Sequence, residues 1–419
     1  VNYDAIWPYF VCMALVFAAS AIPFIKIDAP ASVKIYAPPS VAGQLRAINI
    51  DGLRGFLAFS VFFHHGAYYH RLLRDGQWLL RPSFYALIGQ AGVSVFFMIT
   101  GYLFWQRMIR ANGRPDWLRL YTGRVFRIGP LYLFAVLVMF FIVLRRTGYD
   151  LHVPLGQFLQ QVALWLPLGF GGEGPDINGY PDTARVLSGV TWSLDFEWKF
   201  YLSLLVISLA ARRKHAHLPF AAAGFAVCVA CLVAVPNTMH MPTVIVGAAL
   251  FFSGMLSASL QERGLAVRLP DFAASALALA LLALLAFTSY SAYAIWPIVL
   301  LALFFFLIVS GASLFGLLSS RAARRMGEVS YGVYLLQGLV LTSFFSFQQT
   351  RAFALASPAR HWAMISVCAL LLLILAALTH IAIERSGIAL GKRVYAALRP
   401  ESRARTGGGP LSPTRERPG

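Results

Sequence analysis

The stretch Asn49-Ile50-Asp51-Gly52-Leu53-Arg54-Gly55-Phe56-Leu57-Ala58-Phe59-Ser60-Val61-Phe62-Phe63-His64-His65 decides the fold, because an acid and a base open an apolar run that carries two histidines further in. At 100° per residue, the eleven steps from Arg54 to His65 come within about 20° of three full helical turns, with about 16 Å of rise. The two side chains therefore share one face. His64 lies about 80° off that direction and is expected to face a neighbouring helix or lipid. Read as a membrane span over 49–69, the helix puts Arg54 near one surface and His65 about halfway across.

The rest of the chain supports a span. Hydrophobic residues make up 58% of the 419, charged residues 12%, and mean hydropathy is +0.67, far from the balance of a soluble domain. Lys and Arg number 35 against 17 Asp and Glu, a net charge of +18. A nucleic-acid partner is not the reading, because the bases cluster in short segments between apolar runs, as cytoplasmic loops do. Cys12, Cys228, Cys231 and Cys368 all fall inside apolar runs without metal-ligand spacing, so they are read as packing residues and no metal is expected.

The fold class is all-α, a polytopic transmembrane bundle of about eleven spans: 6–25, 49–69, 84–105, 128–144, 191–211, 218–235, 243–260, 272–288, 292–314, 329–347 and 362–383. Segment 151–170, with Gln157, Gln160 and Gln161, is expected to lie along the interface, followed by an outer loop over 171–182. A cytoplasmic loop carries Arg107, Arg110, Arg114, Arg119, Arg124 and Arg127. Basic residues also stand outside at Arg71 to Arg81 and at Arg145 and Arg146, two exceptions to the charge rule. Residues 1–47 read as an extra span that starts outside plus a cytoplasmic linker, 48–393 as the membrane domain, and 394–419 as a disordered basic cytoplasmic tail.

Ionisable groups within spans cost several kcal/mol apiece and normally face a partner or a wet cavity. Here they are Asp51, Arg54 and His65 on one helix and Asp195, Glu197 and Lys199 on another, with Glu328 and Glu384 near inner ends. His65 is the natural proton acceptor, and Glu197 would orient it if the helices touch. A buried ion pair and a histidine that merely fix helix packing are the plainer alternative. His240, His361 and His380 read as interfacial, and Trp165, Trp192 and Trp198 as an aromatic belt.

Five stretches in order resemble the acyltransferase family 3 integral membrane proteins, which O-acylate cell-surface carbohydrates. They are Asp51-Gly52-Leu53-Arg54-Gly55 with His65; Gly92-Val93-Ser94-Val95-Phe96-Phe97-Met98-Ile99-Thr100-Gly101-Tyr102; Arg124 with Arg127-Ile128-Gly129-Pro130-Leu131-Tyr132; Trp192-Ser193-Leu194-Asp195-Phe196-Glu197; and Gly327-Glu328-Val329-Ser330-Tyr331-Gly332-Val333-Tyr334-Leu335-Leu336. The resemblance implies a ten-span core, here preceded by one extra span, in a bacterial inner membrane. It also implies a cytoplasmic acyl-CoA donor, usually acetyl-CoA, and a carbohydrate hydroxyl as acceptor at the outer face. By the same resemblance Arg54 and His65 match the family's essential Arg and His, Glu197 the Glu of its Trp-Ser-Leu-x-x-Glu segment and Arg127 its basic residue before the Ile-x-Pro-Leu-Tyr turn; with Asp51 as partner of Arg54 they give the expected catalytic set His65, Glu197, Arg54 and Asp51, and charge-assisted bonding leads to the expectation that Arg124 and Arg127 bind the donor phosphates. Trp198 and Lys199 stand where many members have Glu and Gln, and Gln337 stands where a His often closes the Tyr-Leu-Leu stretch. The competing reading, a transporter or flippase of an envelope precursor, requires an inverted repeat and matched broken spans, and the sequence displays neither.

Overall fold

The computed structural model describes residues 3–23, 41–234 and 243–399, and His240 lies outside them. The helices in order are α1 (Trp7–Ala21), α2 (Val41–Asp75), α3 (Phe84–Arg110), α4 (Trp117–Arg146) and α5 (Leu155–Trp165). Then come α6 (Trp192–Ile207), α7 (His217–Ala234), α8 (Thr243–Glu262), α9 (Asp271–Thr288) and α10 (Ile295–Ser310). The chain closes with α11 (Arg321–Glu328), α12 (Ser330–Phe344), α13 (Gln348–Leu355), α14 (Pro358–Thr379) and α15 (Arg385–Ala397). No strand occurs among the described residues, so the all-α reading holds.

Among the described residues six helices are long and apolar enough to cross a membrane: α3, α4, α7, α8, α9 and the continuous run Pro358–Ala397. A seventh is added if α12 and α13, bent by 98° at their junction, count as one span. The expected eleven are not reached by length and composition. The helices α1 and α10 are short, and α2 is held below the apolar threshold by the Asp51, Arg54 and histidine groups that make it interesting. Of the expected linker, the part from residue 41 is already α2, and the rest lies outside the described residues. Of the expected tail, 394–397 complete α15, and residues from 400 lie outside.

Close packing explains the glycines. In lipid, helices associate through van der Waals contact, which small residues permit. A Cβ at Gly52 would lie 2.0 Å from the Leu318 carbonyl oxygen, one at Gly55 2.4 Å from Met326 Cβ, and one at Gly327 1.9 Å from the Asp51 carbonyl oxygen. The glycines around Arg54 and before Glu328 thus dock α2 against α11 at backbone distance. Gly101 and Gly254 do the same for α3 and α8, meeting the carbonyls of Phe251 and Met98. Phe59, Phe62, Phe63 and Trp105 are fully buried between these helices.

Segment 151–211 folds against the bundle at both of its ends. The Tyr132 hydroxyl donates to the Trp165 carbonyl at 3.0 Å, and Tyr132 stands fourteen residues, about 21 Å, before the end of α4. The C-terminal end of α5 therefore lies beside the middle of α4. The chain turns there through Gly169, Gly171 and Gly172, all with positive φ, which glycine adopts without steric cost, and returns to Asn178, whose amide binds Thr147 and the Asp150 carbonyl beyond the far end of α4. Helix α6 starts inside the bundle rather than at its outer edge: Ser193 meets Tyr334 of α12 at 2.8 Å, and the 16-residue helix ends near the turn after α3. Trp165 and Trp198 are buried and bind the carbonyls of Pro175 and Leu168, so they brace this re-entrant segment and form no interfacial belt.

Candidate active site

The basic loop proves to be mostly helix. Arg107 and Arg110 end α3, Arg119, Arg124 and Arg127 begin α4, and Asp116 caps α4 by accepting from the Arg119 amide at 2.9 Å. Helical spacing turns Arg124 and Arg127 inward. Arg124 lies 5.2 Å from the Phe104 ring centre. Arg127 pairs with Glu384 at 2.9 Å and lies 6.0 Å from the Tyr331 ring centre.

Glu384 reaches this position through a local change of helix type. His380–Glu384 form a π turn between α14 and α15, a widening found often at functional sites. The Glu384 carboxylate is fully buried, with His380 Nδ1 at 3.4 Å. His380 was expected at the interface; it belongs to this cluster instead.

Arg54 completes the group. Its guanidinium lies 3.9 Å from the Asp51 carboxylate and within electrostatic range of Glu197, Arg124 and Arg127. Glu197 accepts from Thr100 at 3.3 Å and from Tyr201 at 2.8 Å. Glu328 stands within range of Asp51, Arg127, His380 and Arg385, and its Oε2 is buried without a hydrogen-bond partner. The arrangement is a semi-enclosed network of guanidinium and carboxylate groups. Asp195 is apart from it, accepting from the Gly171 amide at 2.9 Å and from Lys199 at 2.5 Å, where it pins the re-entrant turn.

His65 sits alone, about 16 Å along α2 from Arg54. Its Nδ1 is 3.1 Å from Gln337 Oε1, and Gln337 Nε2 donates to the Tyr334 carbonyl at 2.7 Å. That second bond fixes the amide orientation. An amide oxygen only accepts, so the imidazole proton sits on Nδ1 and the lone pair on Nε2. The Trp78 ring stacks on the imidazole at 6.3 Å and 20°, folded back from the segment after α2 and flanked by Tyr68 and Tyr69. His64 faces the neighbouring helix as expected, its Nδ1 2.8 Å from the Tyr85 carbonyl.

The structure therefore brings Asp51, Arg54, Arg124, Arg127 and Glu197 together and leaves His65 outside that group. The expected orientation of His65 by Glu197 is not found; Gln337 does that work. Thr100, Tyr201, His380 and Trp78 were given no site role by the sequence; Thr100 stands within one of the stretches that carry the resemblance, and Tyr201 stands one helical turn after Glu197. Among the described residues no group of three His, Cys, Asp or Glu is placed to hold a metal ion. Cys12, Cys228 and Cys368 are buried and free, whereas Cys231 is exposed on the bundle surface.

Comparison with known proteins bears on this geometry. The Nodulation protein 10 of Rhizobium leguminosarum bv. viciae is 28% identical over 178 residues, which is 40% of this chain and 46% of that protein. The alignment thus spans about half the length of the relative. No solved structure matches. The acyltransferase domain family matches residues 48–380, which contain every residue of both the ionic network and the His65 site except Glu384 and Arg385. The chain belongs to this family, acyltransferase family 3.

Proposed function

We propose that the protein is a multi-pass membrane O-acyltransferase that moves an acyl group, acetyl in the simplest case, from cytoplasmic acyl-CoA to a hydroxyl of a cell-envelope carbohydrate. The observation that carries the reading is the hydrogen-bonded chain His65, Gln337 and Tyr334, which leaves a basic nitrogen on the buried imidazole near the middle of α2. His65 Nε2 takes the proton of the acceptor hydroxyl as its oxygen attacks the thioester carbon. The carbon–sulfur bond then breaks, and the imidazolium returns the proton to the departing thiolate. General base assistance of this kind typically contributes about 10²- to 10⁴-fold.

The ionic network supports donor binding. Phosphate oxygens form strong charge-assisted bonds with guanidinium groups, and Arg54, Arg124 and Arg127 converge at the end of the bundle rich in basic residues. Arg124 and Arg127 are the proposed phosphate ligands, Arg127 tuned by its buried partner Glu384, and Arg54 stands within electrostatic range of both. The 16 Å between network and imidazole is a gap that an extended donor arm has to bridge. Glu197 orders Thr100 and Tyr201 beside Arg54 and acts as a positioning residue in this scheme.

In this reading the acyltransferase domain runs over 48–393 in a bacterial inner membrane, with the segment before α1 outside and α15 cytoplasmic. The test is transfer of labelled acetyl from acetyl-CoA in inverted membrane vesicles that contain native envelope, with wild type and His65→Ala at matched expression. Label in a carbohydrate fraction with wild type alone supports the reaction and its base. Label in neither, given an intact donor pool, overturns the reading.

A further inference from the structure

The imidazole of His65 is walled by aromatic rings that converge from separate segments of the chain. Tyr68 stands about one turn further along α2, its ring centre 6.1 Å from the imidazole. Trp78 comes from the connection between α2 and α3, nearly parallel to the imidazole at 20° and 6.3 Å away, and 5.1 Å from Tyr68. Tyr293 comes from the connection between α9 and α10 and stands within electrostatic range of Tyr68 and Tyr334. Trp78, Tyr68 and Tyr293 are all partly exposed. Both connections lie at the end of the bundle opposite Arg54. The first follows α2 beyond Tyr68, and the second is tied to the start of α3, where Gln90 accepts from the Ser291 hydroxyl and the Ala292 amide, each at 2.9 Å.

Helix packing alone does not account for this group. An interfacial belt spreads its rings around the perimeter of a bundle at headgroup level, whereas these rings gather on one imidazole. Squarely stacked rings would have centres about 3.5–4.0 Å apart, so at 6.3 Å the indole stands by the imidazole without sealing it. The indole is also held in place. The Tyr68 hydroxyl bonds the main chain of Leu80, two residues after Trp78. The Tyr69 ring stands edge-on to the indole at 5.5 Å and 82°, fixed in turn by a 2.5 Å hydrogen bond between its hydroxyl and that of Thr342.

The chemistry of the wall limits what it fits. The rings offer apolar faces, and the Tyr293 hydroxyl makes no hydrogen bond among the described residues. Among those residues no acid or guanidinium bonds His65, Tyr68 or Tyr293. Arg146, in electrostatic range of Tyr69, is bonded to the Tyr180 hydroxyl. A carboxylate or phosphate placed here would lose water without gaining a counter-charge, which is costly. Aromatic walls with a few placed polar groups suit a neutral ligand with one apolar face and a polar edge. We propose that Trp78 is the platform for the acceptor, an uncharged pyranose whose C–H face lies on the indole. The Tyr293 hydroxyl binds the edge of the sugar, and the reacting hydroxyl turns to His65 Nε2. The proposal rests on the acyltransfer reading and adds to it the class of sugar and the residue that selects it.

The test uses the full chain purified in non-ionic detergent, so that both faces are open, with labelled acetyl-CoA as donor. The acceptors are carbohydrate from the native envelope, freed of its own acyl groups by mild base and divided by anion exchange into neutral and acidic fractions. Support is label entering the neutral fraction, with the half-saturating concentration of that fraction raised about tenfold in Trp78→Ala, at unchanged donor KM, and mostly restored in Trp78→Phe. If Trp78→Ala also lowers the thermal midpoint, Tyr293→Phe decides: it removes one hydroxyl and keeps the ring, and it should raise the same concentration about two- to tenfold. Label in the acidic fraction alone, or wild-type half-saturation in the deciding variant, overturns the proposal while the acyltransfer reading stands. Label in neither fraction with wild type fails that reading, and the proposal with it.

Discussion

The two polar regions of the α2 face are built on opposite principles. Around Arg54 the side chains are ions held against ions: Arg127 with Glu384, Arg54 with Asp51, and Glu197 tied down by Thr100 and Tyr201. Around His65 the contacts include no acid and no guanidinium: the Gln337 amide, the Tyr68 and Trp78 rings and the His64 imidazole. A charged network can hold a charged ligand without changing its own protonation state, whereas a neutral enclosure keeps one imidazole free to take and return a proton. Burying ion pairs is costly, so the chain confines them to one end and spends uncharged hydrogen bonds on the other.

If that division is functional, the regions fail differently. His65→Ala is expected to lower transfer by about 10²- to 10⁴-fold while donor KM stays at the wild-type value, measured by initial rates in vesicles of matched expression. A parallel rise in KM would merge the two regions into one. Gly327→Ala comes next. Its new methyl group would fall on the Asp51 carbonyl at a separation no packed carbon tolerates, and backbone cannot step aside as a side chain does. Overpacking of this kind costs about 1–3 kcal/mol, to be read as a lower unfolding midpoint together with a raised donor KM, since α2 and α11 must part at the network. An unchanged midpoint would show that the interface is loose.

A smaller effect separates ligand from scaffold within the network. Arg127→Ala should raise donor KM about tenfold with little change in kcat. Glu384→Gln should move KM the other way, because it frees Arg127 from its buried partner. If both substitutions raise KM alike, the pair is a structural brace and phosphate binding rests on Arg54 and Arg124 alone.

Much of this was legible in the sequence, for a physical reason. An ion in an apolar run is conspicuous, and a 3.6-residue repeat places Arg54 and His65 on one face whatever surrounds them. The partners were not legible, because they depend on which helices meet. The sequence put Glu197 and Asp195 at an outer end on the premise that segment 191–211 crosses the membrane, and only the fold of 155–191 back into the bundle starts α6 at mid-depth. Glu384 enters the network through a π turn that shifts the face of the helix, and no periodicity announces such a shift. Trp78 comes from a connecting segment, whose path no periodic signal fixes.

The sharpest remaining probe is Gln337, the position at which the family resemblance implies a His. A glutamine neither takes nor supplies a proton here; its proposed contribution is to fix which nitrogen of His65 carries one. Gln337→Leu keeps the volume but removes the side-chain acceptor, so the preference for one imidazole tautomer weakens and the ring loses one restraint. A hydrogen bond of this type is worth about 0.5–1.5 kcal/mol net, which corresponds to a two- to tenfold loss of kcat at unchanged donor KM. A loss as large as that of His65→Ala would make Gln337 a direct participant. No loss at all would mean that the tautomer is set elsewhere, and the neutral region would then owe its selectivity to Trp78 and the tyrosines rather than to the amide.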